Sequence, residues 1–118
     1  MFRVMRKLLF VCVFSFLGAF VVYAQSLPSI TIVNNTGYAI YYIYVSPTES
    51  DEWGEDLLGD EILQNGATFS YRLPQPLSAV SLYDFLLEDE DEDYYIKWEI
   101  EVTNNARIVF TPDDLGWD

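Results

Sequence analysis

Residues 94–102 read YYIKWEIEV, and the reading of this stretch decides the fold. Tyr94, Ile96, Trp98, Ile100 and Val102 alternate with Tyr95, Lys97, Glu99 and Glu101. A period of two places successive side chains on opposite faces of a β-strand, so the stretch predicts a strand with one apolar and one polar face. Its surroundings repeat the pattern. The acidic run Glu88 to Asp93, EDEDED, joins it to a preceding strand at about 79–88, with Tyr83, Phe85 and Leu87 on one face and Leu82, Asp84 and Leu86 on the other. Asp84 stands out there, because a carboxylate among bulky apolar neighbours needs a partner. It reads as a structural acceptor for turn backbone before it reads as a catalytic acid. On the other side, Asn104-Asn105 makes a tight turn and ARIVFT returns with Ile108 and Phe110 inward. Leu115 and Trp117 can dock the acidic tail.

Toward the N-terminus, SITIVNN and YAIYYIYVS read as two strands joined by Asn35-Thr36-Gly37, a spacing that predicts a hairpin with Gly37 at positive φ. The second of these is apolar on both faces, which predicts a central strand. It stops at Ser46-Pro47, since proline has no N–H to pair, and runs into the acidic elbow Ser50 to Gly59, SDEWGEDLLG. Ser50 as N-cap, Asp51 and Glu52 in a first turn, Trp53 and Leu57 at i and i+4, and Gly59 as terminator predict a short helical turn. Asn65-Gly66 is another turn signal, and ATFSYRL after it alternates with Phe69, Tyr71 and Leu73 inward. Six strands with short connections and no interior break predict one all-β domain, a small antiparallel β-sandwich with one short helical turn.

The N-terminus addresses the compartment. Arg3, Arg6 and Lys7 precede an apolar run from Leu8 to Val22, and Val22-Tyr23-Ala24 carries a signal-peptidase pattern. The apolar run falls short of the roughly 20 residues that span a bilayer. Residues 1–24 are therefore expected to be a cleaved signal peptide, leaving 25–118 as a single acidic β domain in the periplasm or outside the cell, with no stable membrane association. That domain keeps all nineteen acidic residues of the chain against three cations, Arg72, Lys97 and Arg107. Nucleic acid and anionic membranes, which need a basic footprint, are poor partners. Divalent cations and basic proteins fit better. The single cysteine, Cys12, lies in the signal, and the chain has no histidine. Disulfides, thiolate chemistry and the commonest zinc and general-base ligands are thereby excluded from the domain.

On these motifs the chain resembles a family of small, uncharacterised secreted bacterial proteins. The pattern is Asn-x-Thr-Gly at Asn34 to Gly37, Ser-Pro-x-x-Ser-Asp-x-Trp-Gly-x-Asp-Leu-Leu-Gly at Ser46 to Gly59, Leu-x-x-Gly at Leu63 to Gly66, and Tyr83-Asp84 before the acidic run. Some relatives carry two cysteines near the Tyr-Asp strand and the last strand, which this chain lacks. The resemblance implies an exported β domain and, because the family has no established activity, transfers no catalytic residue.

Three chemistries compete for the conspicuous residues. Asp89, Asp91 and Asp93 occupy the first three ligand positions of an EF-hand-like loop, but Tyr94 replaces its turn glycine and Ile100 its bidentate glutamate. An EF-hand is rejected, and a non-standard calcium site, at Asp89, Asp91 and Asp93 or at the elbow carboxylates Asp51, Glu55 and Asp56 with Asp84, stays as an alternative to a solvated hairpin tip. A glycosidase would use paired carboxylates, but no motif singles out a pair and so small a sandwich has little room for a cleft. No catalytic residue and no obligatory cofactor are expected. The clustered aromatics Tyr38, Tyr41, Tyr42 and Tyr44 read as sheet cover or as a sugar- or peptide-binding platform. Asn34-Asn35-Thr36 also fits a glycosylation sequon. The expected surface combines Trp53, Asp51, Glu55, Asp56 and Asp84, and the expected function is that of an exported, non-catalytic binding or structural module with a protein or glycan partner. A carbohydrate-binding module is the remaining alternative.

Overall fold

The computed structural model describes residues 26–116. The expected signal peptide, its expected cleavage site and Trp117 lie outside them. Six strands follow in order: β1 (Ser29–Asn34), β2 (Ile40–Pro47), β3 (Thr68–Arg72), β4 (Leu82–Asp89), β5 (Tyr94–Glu101) and β6 (Ala106–Phe110). They form two three-stranded sheets, ordered β3-β1-β6 and β2-β4-β5. The sheets face each other as a small all-β sandwich, with Ile30, Ile32, Ile108 and Phe110 of one meeting Ile43, Tyr83, Phe85, Leu87 and Tyr95 of the other in a single buried cluster. Phe85 and Phe110 touch edge to face across it, with ring centroids 6.4 Å apart.

Two expected pairings are corrected. The first two strands do not form a hairpin: β1 pairs β3 antiparallel and β6 in parallel, while β2 pairs β4. The Asn34–Gly37 segment is instead a corner between sheets, and the cause is the fully buried Asn34. Its Nδ2 donates to the carbonyls of Tyr38 and Leu63 at 2.8 and 2.9 Å, and its Oδ1 accepts from the N–H and hydroxyl of Thr36. With donors and acceptor all used, this asparagine turns the chain away from its own strand, and Gly37 at φ 96° completes the turn as anticipated. The sequon is thus sealed inside the fold. The second correction is that β2 is an edge strand of its sheet and β4 the central one.

The short helical turn also sits elsewhere than expected. Residues 50–59 contain no helix; the 3-10 turn is Pro112–Asp114, capped by Thr111, whose Oγ1 accepts from Asp113 N while its own N–H donates to Asp114 Oδ2. In the elbow, Gly54 at φ 83° leaves the helical region, and Asp56 captures the backbone instead. Asp56 Oδ1 accepts from Ile43 N at 2.9 Å and from Leu58 N at 3.1 Å, and Oδ2 from Gly59 N at 3.0 Å. Leu57 N adds a bond to Ile43 O at 2.8 Å. The elbow thus runs back along the open edge of β2 and covers it, and an aspartate competing for local N–H groups explains why the helix lost.

Candidate binding surface

The decisive local feature is a bulge in β5. Phe85 opposes Lys97, but Tyr83 opposes Ile100, so Trp98 and Glu99 together face Asp84 of β4. Glu99 takes φ 53°, and its N–H donates to Asp84 Oδ1 at 2.8 Å. One extra residue reverses the phase of a strand. N-terminal to the bulge, Tyr95 (3% exposed) and Lys97 therefore point inward while Tyr94, Ile96 and Trp98 point outward; Ile100 and Val102 return to the core. Inward-facing Lys97 reaches the rim of the sandwich, pairs with Asp114 at 2.9 Å and lies 5.3 Å from the centre of the Phe110 ring.

The consequence is an aromatic outer face on the β2-β4-β5 sheet. Cross-strand register places Tyr42 beside Glu88 and Tyr94, then Tyr44 beside Leu86 and Ile96, then Ser46 beside Asp84. Tyr42 and Tyr44 stack with centroids 6.5 Å apart, and Tyr42 is exposed. A second bulge, between Ile40 and Tyr42, turns Ile40 and Ile43 inward and leaves these tyrosines outside. The face carries negative potential. Burial first, then the charges of Asp56 and Glu88, raise the Tyr44 hydroxyl above its ordinary value. Burial, then Glu92 and Asp89, raise Glu88.

At one end of this face the elbow brings Trp53 against Trp98, with centroids 5.8 Å apart and the rings tilted by 41°. Beside them opens a groove of about 220 Å³ lined by Ser46, Ser50, Asp51, Glu52, Trp53, Asp84 and Trp98. Trp98 is 60% exposed and Asp84 only 8%. Thr48 Oγ1 donates to Asp84 Oδ1 at 2.9 Å, beside the bond from Glu99 N. Ser50 Oγ accepts from Glu52 N and so holds the acidic rim as a tight turn.

Of the surface residues expected from sequence, Trp53, Asp51 and Asp84 meet in this groove. Glu55 does not line it, and Asp56 is spent holding the elbow to β2. Trp98, Glu52 and Ser46 were missed. Unbroken alternation had assigned Trp98 to the same face as Val102, which is buried; the available signal was Asp84, whose need for a donor marks where the facing strand must bulge.

The acidic tip has a different construction. The carboxylate oxygens of Asp89, Asp91 and Asp93 lie within 4.8 Å of one another. Yet Asp89, 2% exposed, already accepts from Asp91 N at 2.8 Å, Asp93 N at 2.9 Å and the Tyr95 hydroxyl at 2.9 Å. It builds the hairpin from inside, while Asp91 and Asp93 are exposed. Burial, and then the bond to Asp89, push the Tyr95 hydroxyl far above its ordinary value.

No family model and no curated protein matches the chain. Among solved structures it is similar to the NMR structure of a protein from Eubacterium rectale, with a TM-score of 0.56 and 13% identity, covering 75% of this chain and 82% of that one. At this identity the likeness bears on the fold alone, and it agrees with a small all-β sandwich.

Proposed function

We propose that this is an exported, non-catalytic binding module whose working surface is the outer face of the β2-β4-β5 sheet, centred on the Trp53–Trp98 groove. The observation that carries the reading is Trp98, held 60% exposed by a bulge that costs the strand its regular pairing. The solvated face of an antiparallel sheet is ordinarily polar, and contiguous exposed aromatics mark interaction surfaces. A solvent-facing tryptophan packed against a second one supplies the rigid, amphipathic contact area that dominates binding sites. A protein or a glycan partner would meet it in the periplasm or outside the cell.

Binding to peptide and glycan arrays, compared between the parent chain and a Trp98→Ser variant with an unchanged unfolding midpoint, tests the reading. Ligands lost in the variant support it. Ligands retained at full strength would place the working surface elsewhere.

The convergence of Asp89, Asp91 and Asp93 supports a second reading, a calcium-dependent module. Thermal unfolding with EDTA, calcium or magnesium at constant ionic strength tests it, using Asp91→Asn with Asp93→Asn so that the buried Asp89 is left intact. A calcium-specific rise in midpoint abolished in the double variant supports an ion site; equal small shifts with both ions refute it.

A further inference from the structure

We infer that the Trp53–Trp98 groove takes the guanidinium group of an arginine side chain presented by a polypeptide partner. This rests on the groove being the working surface and adds the chemistry of what enters it.

Asp84 points to a cation. It is 8% exposed, lines the groove, and takes both of its hydrogen bonds on Oδ1; among the described residues Oδ2 receives none. Oδ2 is left able to accept a further hydrogen bond from a group entering the groove. The cations among the described residues do not serve it. Lys97 lies on the opposite face of β5, paired with Asp114, and Arg72 and Arg107 belong to β3 and β6 of the other sheet. Asp51 and Glu52 add two exposed carboxylates at the rim, so the groove presents three acidic residues and no basic one.

Geometry selects the kind of cation. Among the described residues, three carboxylate oxygens converge within 4.8 Å at Asp89, Asp91 and Asp93, but not at Asp51, Glu52 and Asp84. Spread-out charge suits a delocalised organic ion better than a compact metal ion. The indoles of Trp53 and Trp98 provide faces on which a planar guanidinium stacks, and its fork of N–H donors can reach Asp84 Oδ2 while it does so. Size agrees. About 220 Å³ is below the roughly 300–1,000 Å³ of small-molecule sites and fits one inserted side chain. The flanking Tyr42, Tyr44, Leu86 and Ile96 would lie under the rest of the peptide.

The test is an NMR titration of the 15N-labelled mature chain, following the indole Nε1–H signals assigned with Trp53→Phe, Trp98→Phe and Trp117→Phe. The probes are capped Gly-Arg-Gly-Arg-Gly, the same peptide with citrulline for arginine or with lysine, and a neutral cello-oligosaccharide. The arginine peptide is expected to move the Trp53 and Trp98 signals. The citrulline peptide should bind at least tenfold more weakly, and affinity should fall several-fold between 50 and 200 mM salt. Trp98→Leu, which keeps every carboxylate, should lose at least fivefold. Equal binding of the citrulline or lysine peptide overturns the assignment to arginine. Undiminished binding by Trp98→Leu reduces it to generic attraction to a polyanion and overturns it too. If the oligosaccharide alone moves the two indoles, the working surface stands and the ligand class falls; if no probe moves them, both fall.

Discussion

Replacing Asp89 separates a structural carboxylate from an ion ligand, and the size of the effect follows from its bonds. Its carboxylate is 2% exposed and accepts three hydrogen bonds, two from the backbone of the β4–β5 turn and one from the buried Tyr95 hydroxyl. A hydrogen bond to a charged group contributes about 1.5–3 kcal/mol, and a buried donor left alone costs about 1–3 kcal/mol. Water can reach the two N–H groups at an exposed hairpin tip, so much of their loss is recovered; the buried Tyr95 hydroxyl has only the Thr36 side chain to turn to. Asp89→Ala is therefore expected to cost about 3–5 kcal/mol. For a domain of this size each kcal/mol lowers the melting midpoint by roughly 4–8 °C, so the fall should be at least about 12 °C. Asp89→Asn keeps an acceptor for the backbone and lets the tyrosine hydroxyl turn from donor to acceptor, and should cost about 1–2 kcal/mol.

Thermal and urea unfolding in EDTA are the assays, because an ion site would make these losses appear only with calcium present. Asp91→Asn and Asp93→Asn, both at exposed positions, should stay within about 0.5 kcal/mol of the parent. An Asp89→Ala midpoint within about 3 °C of the parent in EDTA would refute the reasoning, as would three aspartates of equal weight.

Tyr83 is fully buried and its hydroxyl has no hydrogen-bond partner among the described residues, so Tyr83→Phe should be neutral or stabilising by up to about 1 kcal/mol in urea unfolding; a loss of about 1 kcal/mol or more would mean the hydroxyl is satisfied in solution. Glu99 at φ 53° should accept glycine without loss, whereas Glu99→Val should lower stability by about 1–2 kcal/mol and shift the Trp98 indole signal; equal stability of the two would deny that the bulge sets that site. Glu88 is raised above its ordinary 4.5 by burial, Glu92 and Asp89, so the folded state favours its protonated form. Its contribution is complete below pH 4.5 and is lost as pH rises through the raised value. The urea midpoint should therefore climb as pH falls through the raised value toward 4.5, and Glu88→Gln should flatten that slope. Tyr95, raised by burial and Asp89, contributes below its ordinary value of 10.0 and loses that contribution at higher pH. Asp89→Asn, which reduces that shift, should therefore lose less stability than the parent as pH rises above 10.0.

Periodicity made the class of fold legible, because a side-chain period of two depends only on the residues of one strand. β4, β5 and β6 stand within a few residues of where alternation places them, and the inward set Tyr83, Phe85, Leu87, Ile108 and Phe110 is as read. Pairing was less legible because it depends on residues far away. Nothing local announces that Asn34 will satisfy the carbonyl of Leu63, twenty-nine positions on, and thereby send β2 to the other sheet. The elbow failed as a helix for a related reason. Its capping residues were weighed against solvent, when the competing partner of Asp56 was the N–H of Ile43 on an open edge.

The groove depends on the hardest quantity to read, the phase of β5. Alternation in YYIKWEIEV is unbroken as text, yet one residue at positive φ inverts half of it. Asp84 carried the information: an aspartate in a central strand has to be met by a donor, and the neighbouring strand can offer its own N–H only by bulging. Taken as a demand on β5 and not only as a local anomaly, Asp84 separates the phase of Tyr95 from that of Ile100 and moves Trp98 outside. The same residue that breaks the pattern then supplies the floor of the site, which is why the bulge and the groove should fail together when Asp84 is replaced.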